Sequence, residues 1–381
     1  MNLGFDSKRL YCNFTGLGNY SRSLVKNLHK FKPENQYNLY TPKLKNTTET
    51  TFFYDHPSFK TYEPKTAFKS YWRSFSILSQ LEKDKIELYH GLSNEVPFNI
   101  KRSVVKSVVT IHDLIFKILP KTYPPIDRNI YDVKFRNSCL NSDKIIAISN
   151  NTKEDIIKFY GIHPDKIEVI YQSCNPIFYE NIEAEENESV FQKYNIPSEY
   201  ILYVGSVEER KNLMGIIESY QHLQPEFRIP IVIIAGRIEK GYAKGVHDLI
   251  KSSGLENKIL WITDLKDNYS LQRIYQKSMA LVYPSFYEGF GLPVAEALLS
   301  NTPVITSNVS SLPEAGGPKS FYVNPDNPEE IASAITQVLS NSELRKTMTE
   351  TGYEYAIQKF SSDRVTKQLV SCYENTLDNK K

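Results

Sequence analysis

Two glutamates enclose a glycine-rich turn in the second half of the chain, where Glu288 and Glu296 flank the run GFGLPVA. Pro293 suits the first turn of a helix, where its missing N–H needs no partner, so Glu288 is predicted in the preceding loop and Glu296 at the end of the first helical turn. Such a helix N-terminus can bind a phosphate or diphosphate, and the carboxylates can accept hydrogen bonds from sugar and ribose hydroxyls. The predicted anion ligands are the N–H groups of Phe290, Gly291 and Leu292, with Gly289 in the same turn.

Two adjacent cations, Arg210 and Lys211, follow a predicted strand at 200–204. The planar guanidinium of an arginine and the compact charge of a lysine together suit a diphosphate. Two cations in the first turn of a helix oppose the helix dipole unless an anion binds there, although a solvated helix start is the simpler alternative. The sequence therefore predicts that these cations bind the diphosphate of a sugar nucleotide.

A histidine and an aspartate, His112 and Asp113, end an apolar strand in the first half of the chain. Such a histidine can donate a hydrogen bond to a sugar hydroxyl, and its neighbouring acid can orient it or bind an acceptor. A single histidine is more often structural, so the position alone leaves both interpretations open. Asn94 and Glu95, in the loop after another strand, offer further groups for an acceptor, and a plain polar loop explains them equally well.

Two glycines, Gly16 and Gly18, precede a predicted helix near the N-terminus. The turn lacks the third glycine of the dinucleotide-binding fingerprint, and it does not follow its strand directly, so a nicotinamide cofactor is not indicated. Small residues here would let the backbone approach a bound ligand closely.

The composition is that of an ordinary globular chain with about two domains, having 381 residues, 24% charged residues and a net charge of +2. This balance gives no argument for nucleic-acid binding. The four cysteines are scattered, which indicates neither a zinc site nor a disulfide framework. The sequence shows neither a signal segment nor an apolar run long enough to cross a bilayer. We therefore expect a cytoplasmic protein without a metal site.

Short β-branched runs alternate with helical patterns, which favours parallel sheets built from βα units. We predict an α/β fold of two Rossmann-like, doubly wound domains facing a cleft, with ligands at the carboxyl ends of the strands. The predicted domains are 1–178 and 200–360, separated by a polar linker at 179–199. The predicted strands are 86–90, 107–112, 144–149 and 168–171 in the first domain, and 200–204, 230–235, 258–262, 280–283, 303–306 and 320–323 in the second.

The stretch from Tyr283 to Glu296, with the segments 303–307 and 311–314 that follow it, resembles the retaining GT-B glycosyltransferases of family 4. The signature of that family is a glutamate, seven residues and a second glutamate. The resemblance implies the GT-B fold and a C-terminal helix, 361–381, that packs back on the first domain. It also implies that Glu288 contacts the transferred sugar and that Glu296 binds the ribose of the nucleotide.

The resemblance also gives roles to the other candidate residues. It implies that Arg210 and Lys211 bind the diphosphate, that His112 approaches the donor sugar, and that the segment with Gly16 and Gly18 lies near the donor phosphates. Many family members carry an arginine directly after the glycine of the donor loop. This chain has Ser206 there, so we expect Arg210 to take over that role.

The expected function is that of a retaining glycosyltransferase, which moves a hexose from a nucleotide-diphosphate sugar to a saccharide or lipid-linked saccharide in surface polysaccharide or glycan synthesis. The pattern looks most like mannosyltransferase-type members, so GDP-mannose is the first donor to test. The cations take the place of a metal, so neither a metal nor another cofactor is expected. The basic and aromatic stretch 65–75 suits peripheral contact with the inner face of the cell membrane. The alternatives are a nucleotide-sugar-binding scaffold without catalysis and a sugar-nucleotide epimerase of the same architecture.

Overall fold

The computed structural model describes residues 1–180, 188–265 and 267–378. They form two compact units, Met1–Ser173 with Ser362–Lys381, and Cys174–Ser361. The first unit therefore ends five residues earlier than the predicted first domain. The predicted linker was partly wrong, because Glu188–Tyr194 forms a helix of the second unit. Residues 181–187 of that linker and residues 379–381 of the predicted last helix lie outside the described residues.

The first unit contains a seven-stranded sheet in the described part of the chain. Its strands are β1 (Asn2–Asp6), β2 (Gln36–Tyr40), β3 (Phe59–Tyr62), β4 (Leu88–Gly91), β5 (Lys106–Ile111), β6 (Lys144–Ala147) and β7 (Ile167–Val169). They pair in parallel in the order β3-β2-β1-β4-β5-β6-β7. The strand order reverses between β1 and β4, which is where ligands bind in doubly wound sheets.

The second unit contains a six-stranded sheet in the same described ranges. Its strands are β8 (Ile201–Val204), β9 (Ile231–Ile234), β10 (Ile259–Ile262), β11 (Ala280–Tyr283), β12 (Val304–Ser307) and β13 (Phe321–Val323). All pairs are parallel, in the order β10-β9-β8-β11-β12-β13. The strand order reverses between β8 and β11, the strands that precede the predicted cation pair and the predicted glutamate turn.

Helices cover these sheets within each unit. Their bounds are α1 (Lys8–Cys12), α2 (Gly16–Phe31), α3 (Thr51–Asp55), α4 (Lys69–Tyr71), α5 (Ile77–Lys83), α6 (Ile115–Ile118), α7 (Pro125–Asn141), α8 (Asn150–Tyr160), α9 (Glu188–Tyr194), α10 (Leu213–Ser219), α11 (Lys240–Ser252), α12 (Asn268–Lys277), α13 (Leu292–Leu299), α14 (Leu312–Gly316), α15 (Pro328–Ser340), α16 (Ser342–Phe360) and α17 (Ser362–Asp378). Within the described ranges, none of these helices has the length and apolarity needed to cross a bilayer.

The last helix, α17, belongs to the first unit although it follows the second along the chain. Leu369 and Tyr373, one turn apart on α17, are buried in a core with Leu24 and Leu28 of α2. The hydroxyl of Tyr373 is 2.5 Å from Nδ1 of His90, at the end of β4. The apolar face of α17 thus completes the core beside β4.

Candidate active site

The cation pair lies in the loop after β8. Arg210 and Lys211 occupy a short 3-10 turn, and not the first turn of an α-helix, and Asn212 follows with φ 54°. Asparagine tolerates this left-handed conformation better than most residues. The Oδ1 atom of Asn212 accepts the N–H of Gly215 at 3.1 Å, which caps α10, and its amide donates to the carbonyl of Pro325 at 2.7 Å. Asn212 therefore joins the turn that carries both cations to the start of α10.

The same two cations form ion pairs with Glu288. The Nη1 atom of Arg210 is 2.8 Å from Oε2 of Glu288, and the Nζ atom of Lys211 is 2.6 Å from Oε1. Tyr283 ends β11, and its hydroxyl donates to Oε1 of Glu288 at 3.1 Å and accepts from Lys211. Arg210 also pairs with Glu208 at 2.6 Å. The loops after β8 and β11 are thus joined through one carboxylate.

This cluster is largely out of solvent, since Glu288 is 7% and Lys211 9% exposed. Burial alone would raise the pKa of Glu288, but the charges of Lys211 and Arg210 outweigh it and lower the pKa to about 2. Burial lowers the pKa of Lys211, and the attraction of Glu288 opposes that effect. Glu288 is therefore ionised at neutral pH, and it can accept hydrogen bonds but has no proton to donate.

The turn between the two glutamates is held by the chain after β12. Gly291, at the N-cap of α13, has φ 111°, and a Cβ atom there would lie 2.9 Å from Cδ2 of Leu312. The hydroxyl of Ser310 accepts the N–H of Glu288 at 3.1 Å, while the hydroxyl of Ser311 donates to the carbonyls of Glu288 and Phe290 at 2.9 and 2.8 Å. These contacts give the turn one fixed shape at the start of α13.

The second glutamate, Glu296, lies in α13 and has a different environment. It is partly buried, and the hydroxyl of Tyr275 donates to its Oε2 atom at 3.3 Å. Burial raises the pKa of Glu296 to about 8, although the Tyr275 hydroxyl opposes the shift. The two glutamates therefore differ in charge near neutral pH, with Glu288 ionised and Glu296 largely protonated.

His112, in the first unit, is 3% exposed. Its Nε2 atom lies 2.9 Å from the carbonyl of Leu92, which can only accept, so this nitrogen carries the proton. Its Nδ1 atom lies 3.1 Å from the amide nitrogen of Gln172. Burial lowers the pKa of His112 to about 4, so the ring is neutral at physiological pH. A sugar hydroxyl would have to replace one of these two partners.

The three predicted acceptor residues have structural contacts in the first unit. Asn94 has φ 64°, and its Oδ1 atom accepts the N–H of His112 at 2.8 Å. Asp113 accepts the N–H of Ile115 at 3.1 Å, at the start of α6. Glu95 lies in a cleft lined by Asp6, Arg73, Tyr89, Phe98 and Lys134, and it pairs with Arg73 at 2.7 Å and Lys134 at 3.1 Å. Each of the three therefore already has a partner in the first unit.

The two N-terminal glycines lie inside α2, which begins at Gly16, and not in a loop before it. A Cβ atom on Gly18 would lie 1.7 Å from the carbonyl oxygen of Asn13, so the fold itself requires glycine there. A Cβ atom on Gly16 would meet no atom within 4 Å. In the structure, the backbone of Gly18 therefore lies close to Asn13 of the same unit, whereas Gly16 has no such close neighbour.

Comparison with known proteins follows the same division of the chain. The Glycosyltransferase Family 4 profile matches residues 14–176, and the Glycosyl transferases group 1 profile matches residues 186–355. The chain is 32% identical to O-antigen chain mannosyltransferase B of Escherichia coli over 289 residues, which are 75% of this chain and 74% of the relative. This chain belongs to the family 4 glycosyltransferases.

Three further comparisons agree with this. The chain is 30% identical to the O-antigen chain mannosyltransferase RfbU of Salmonella typhimurium over 273 residues, covering 71% of this chain and 69% of that one. A solved glycosyltransferase of Rickettsia africae gives a TM-score of 0.77 at 19% identity over 100% of this chain and 99% of that one. A solved structure of Anabaena HepE in complex with UDP-glucose gives a TM-score of 0.77 at 14% identity, over 98% of this chain and 100% of that one. The structural likenesses confirm the GT-B fold.

In this glycosyltransferase the second unit brings Glu288, Arg210 and Lys211 together, whereas Glu296 and Ser206 have other partners. The carbonyl of Ser206 accepts the hydroxyl of Tyr203 at 2.7 Å. The sequence had assigned the cations to the diphosphate and Glu288 to the sugar, and it did not predict that they pair with one another. His112 and Asn94 are in contact in the first unit.

Several supporting side chains were missed by the sequence analysis. Tyr283 holds the Glu288 carboxylate, Tyr275 holds Glu296, and Ser310 and Ser311 hold the turn. A signal existed for Tyr283, since a tyrosine at the last position of a strand can place its hydroxyl at the ligand-binding edge of the sheet. The serines gave no comparable signal, because their contacts depend on how the loop after β12 folds back.

Proposed function

We propose that this glycosyltransferase is a retaining, metal-independent hexosyltransferase, which transfers mannose from GDP-mannose to a saccharide or lipid-linked saccharide during surface polysaccharide synthesis. The names of the two sequence relatives, both O-antigen mannosyltransferases, support the choice of sugar and pathway. The observation that carries the chemistry is the buried cluster of Glu288 with Arg210 and Lys211 beside the start of α13.

The cluster is suited to a donor that carries an anionic leaving group. With Glu208 included, its two cations and two carboxylates cancel in charge. A diphosphate would compete with Glu288 for Arg210 and Lys211 and would bind more tightly where a charged bidentate contact can form. This exchange would leave the ionised Glu288 beside the sugar, where it can accept hydroxyl hydrogen bonds and stabilise positive charge on the ring in the transition state.

The reaction then needs little covalent chemistry from the protein. The bond between the anomeric carbon and the diphosphate oxygen breaks, the acceptor oxygen bonds to the same face of the sugar, and its proton passes to the departing diphosphate. Arg210, Lys211 and the N-terminus of α13 stabilise the leaving group, which replaces the charge of a metal. Retention follows because leaving group and acceptor share one face.

The remaining predicted residues have supporting roles in this proposal. Glu296, protonated or ionised, hydrogen-bonds the ribose of the nucleotide. Ser206 and the turn at 289–292 line the donor site, together with the segment that contains Gly16 and Gly18. His112 contacts the donor sugar after exchanging one of its present partners. Asn94, Glu95 and Asp113 bind the acceptor.

The test is to incubate the purified chain with GDP-mannose or UDP-hexoses and a panel of O-antigen-type acceptors. We expect release of nucleotide only when acceptor is present, with GDP-mannose the best donor, and an α-linked product by NMR. A β-linked product would overturn retention. Loss of donor without acceptor, with interconversion of the nucleotide sugar, would show an epimerase. Donor binding without turnover on any acceptor would favour the scaffold.

A further inference from the structure

Helix α7 carries apolar side chains on the face opposite the core. Ile126, Ile130, Val133 and Leu140 are 73%, 45%, 60% and 47% exposed. Their separations of four, three and seven residues place them on one face of the helix, which we call the α7 stripe. Phe135 and Cys139 lie on the opposite face and are buried in the core. A solvent-exposed row of four large aliphatic residues is unusual in a chain that does not bind something there.

Basic side chains lie on both sides of the α7 stripe. Lys134 and Arg136, one and three residues after Val133, project on opposite sides of it. Lys121 precedes the helix and is exposed. At the C-terminal end of the stripe, the Nζ atom of Lys166 donates to the carbonyl of Leu140 at 2.8 Å. Basic residues therefore lie along both sides of the apolar row, although α7 also carries Asp127 and Asp132, and Lys134 pairs with Glu95.

The first unit as a whole is basic, which the near-neutral charge of the chain conceals. Its sequence contains 30 lysines and arginines against 20 aspartates and glutamates, whereas the second unit contains 16 against 24. The resulting net charges are +10 and −8, which agree with the +2 of the chain. A charge asymmetry of this size directs one unit toward an anionic partner.

We propose that the α7 stripe docks on an anionic lipid surface, with its aliphatic side chains among the acyl chains and the bordering basic residues among the headgroups. An amphipathic helix lying in a membrane interface has this combination of an apolar face and flanking cations. A second copy of the chain fits the face less well, because it would bring two basic borders together. The inference is independent of the donor sugar and concerns α7 alone. The 65–75 stretch, in which Trp72 and Arg73 are buried but Phe68, Tyr71 and Phe75 are exposed, stays a separate prediction of membrane contact.

The test compares binding of the full chain to vesicles of phosphatidylcholine alone and of phosphatidylcholine with phosphatidylglycerol, by co-sedimentation. We expect binding to the anionic vesicles only, weakened by salt. The double variant I130D/V133D should bind the anionic vesicles at least about tenfold more weakly, because both apolar contacts are lost. The matched control is Ile238→Asp in the second unit, where Ile238 is 42% exposed, and it should bind like the unaltered chain.

Other outcomes would overturn the proposal. One is that I130D/V133D and the unaltered chain bind the anionic vesicles equally, and another is that the unaltered chain binds neither kind of vesicle. A third is that light scattering shows a dimer of the unaltered chain and a monomer of I130D/V133D. Because the altered positions are exposed, the helical circular dichroism and the thermal midpoint of the variant should match those of the control. Transfer to a soluble acceptor should be unchanged in the variant, which separates failure of this proposal from failure of the proposed function.

Discussion

Glu288 is the residue on which the arrangement of both cations depends. In Glu288→Gln the charge that pairs with Arg210 and Lys211 is lost while the shape is kept, so the buried Lys211 loses its counter-ion and Arg210 keeps only Glu208. We expect a loss of roughly 3–5 kcal/mol of stability and a fall in kcat of about 10²–10³. Urea denaturation and steady-state transfer assays measure these effects.

The matched control for this variant is Glu209→Gln, in the same 3-10 turn but exposed, which should change neither quantity.

The pH dependence of stability gives a second check on Glu288. Glu288 has a folded pKa of about 2, below the value near 4.3 of an unfolded chain. Its stabilisation is therefore present above about pH 4.3 and is lost as the pH falls toward 2. This loss of stability at acidic pH should be absent from Glu288→Gln. If the variant loses the same stability over that pH range, the ion-pair assignment is wrong.

Glu296 should behave in the opposite way. Its folded pKa of about 8 lies above the unfolded value near 4.3, so between these pH values the unfolded chain releases a proton that the folded chain keeps. The free energy of unfolding contributed by Glu296 therefore falls as the pH rises through this window. In Glu296→Gln the penalty is absent, and the variant should be more stable above about pH 5, with a difference that grows toward pH 8.

The measurement is the thermal midpoint of both proteins from pH 4 to 9, without nucleotide. Glu350→Gln, an exposed change on α16, serves as control and should follow the unaltered chain at every pH. Equal midpoints for Glu296→Gln and the unaltered chain across the whole range would show that Glu296 is ionised in the folded state, contrary to its partly buried position beside Tyr275.

At the scale of elements, the shape of the turn before α13 depends on Gly291. A Cβ atom there would press on Leu312, and φ 111° is unfavourable for any L side chain. We expect Gly291→Ala to lower stability by about 1–3 kcal/mol and to weaken nucleotide binding. In the control Gly241→Ala, within α11, the new Cβ atom meets nothing within 4 Å, so stability should stay equal or rise by up to about 1 kcal/mol. Calorimetric titration with nucleotide and urea denaturation would test both, and unchanged nucleotide affinity in Gly291→Ala would contradict the role of the turn.

The elements that the sequence predicted best are the ones whose own residues determine them. All six strands of the second unit appear within one or two residues of their predicted bounds, because short apolar runs such as Ile231–Ile234 need no partner to be recognised. Strands β2 and β3 were missed, since QYNLY and FKTY mix polar with aromatic residues. The helix at Glu188–Tyr194 was missed because the acidic composition around it resembles a linker.

The contacts of the site were less predictable than its residues. Proximity of Glu288 to Arg210 follows from strand order, because β8 and β11 are neighbours in the sheet although 75 residues of the chain lie between the end of β8 and the start of β11. A spacing pattern indicates which ligand a loop binds, but it does not indicate which side chains the loop contacts when no ligand is bound. The direct contacts of His112 with Leu92 and Gln172 were unpredictable for the same reason.

At the scale of the whole molecule, the first unit depends on the end of the chain. Truncation after Ser361 would remove α17, uncover Leu24 and Leu28 of α2, and leave His90 without Tyr373. Several buried side chains are lost, each worth about 1.5–3 kcal/mol, so we expect the first unit not to fold. Limited proteolysis should then digest residues 1–173 while 174–361 persists. Truncation after Asp378 is the control and should leave both units resistant, and resistance of 1–173 without α17 would contradict the prediction.

The complete protein should transfer sugar without a divalent metal. A sugar nucleotide carries two negative charges on its diphosphate, and Arg210 and Lys211 supply two positive charges on one loop. Helix α13 begins four residues after Glu288. Extensive dialysis against EDTA should therefore leave kcat and KM within about twofold of their starting values, because no step relies on a metal to neutralise the leaving group. As a control on the cations, Lys211→Ala should lose about 10²–10³ in kcat without recovery on adding Mn²⁺. Activity that disappears with EDTA and returns with Mn²⁺ would show that the cations are insufficient, and the proposed mechanism would be wrong.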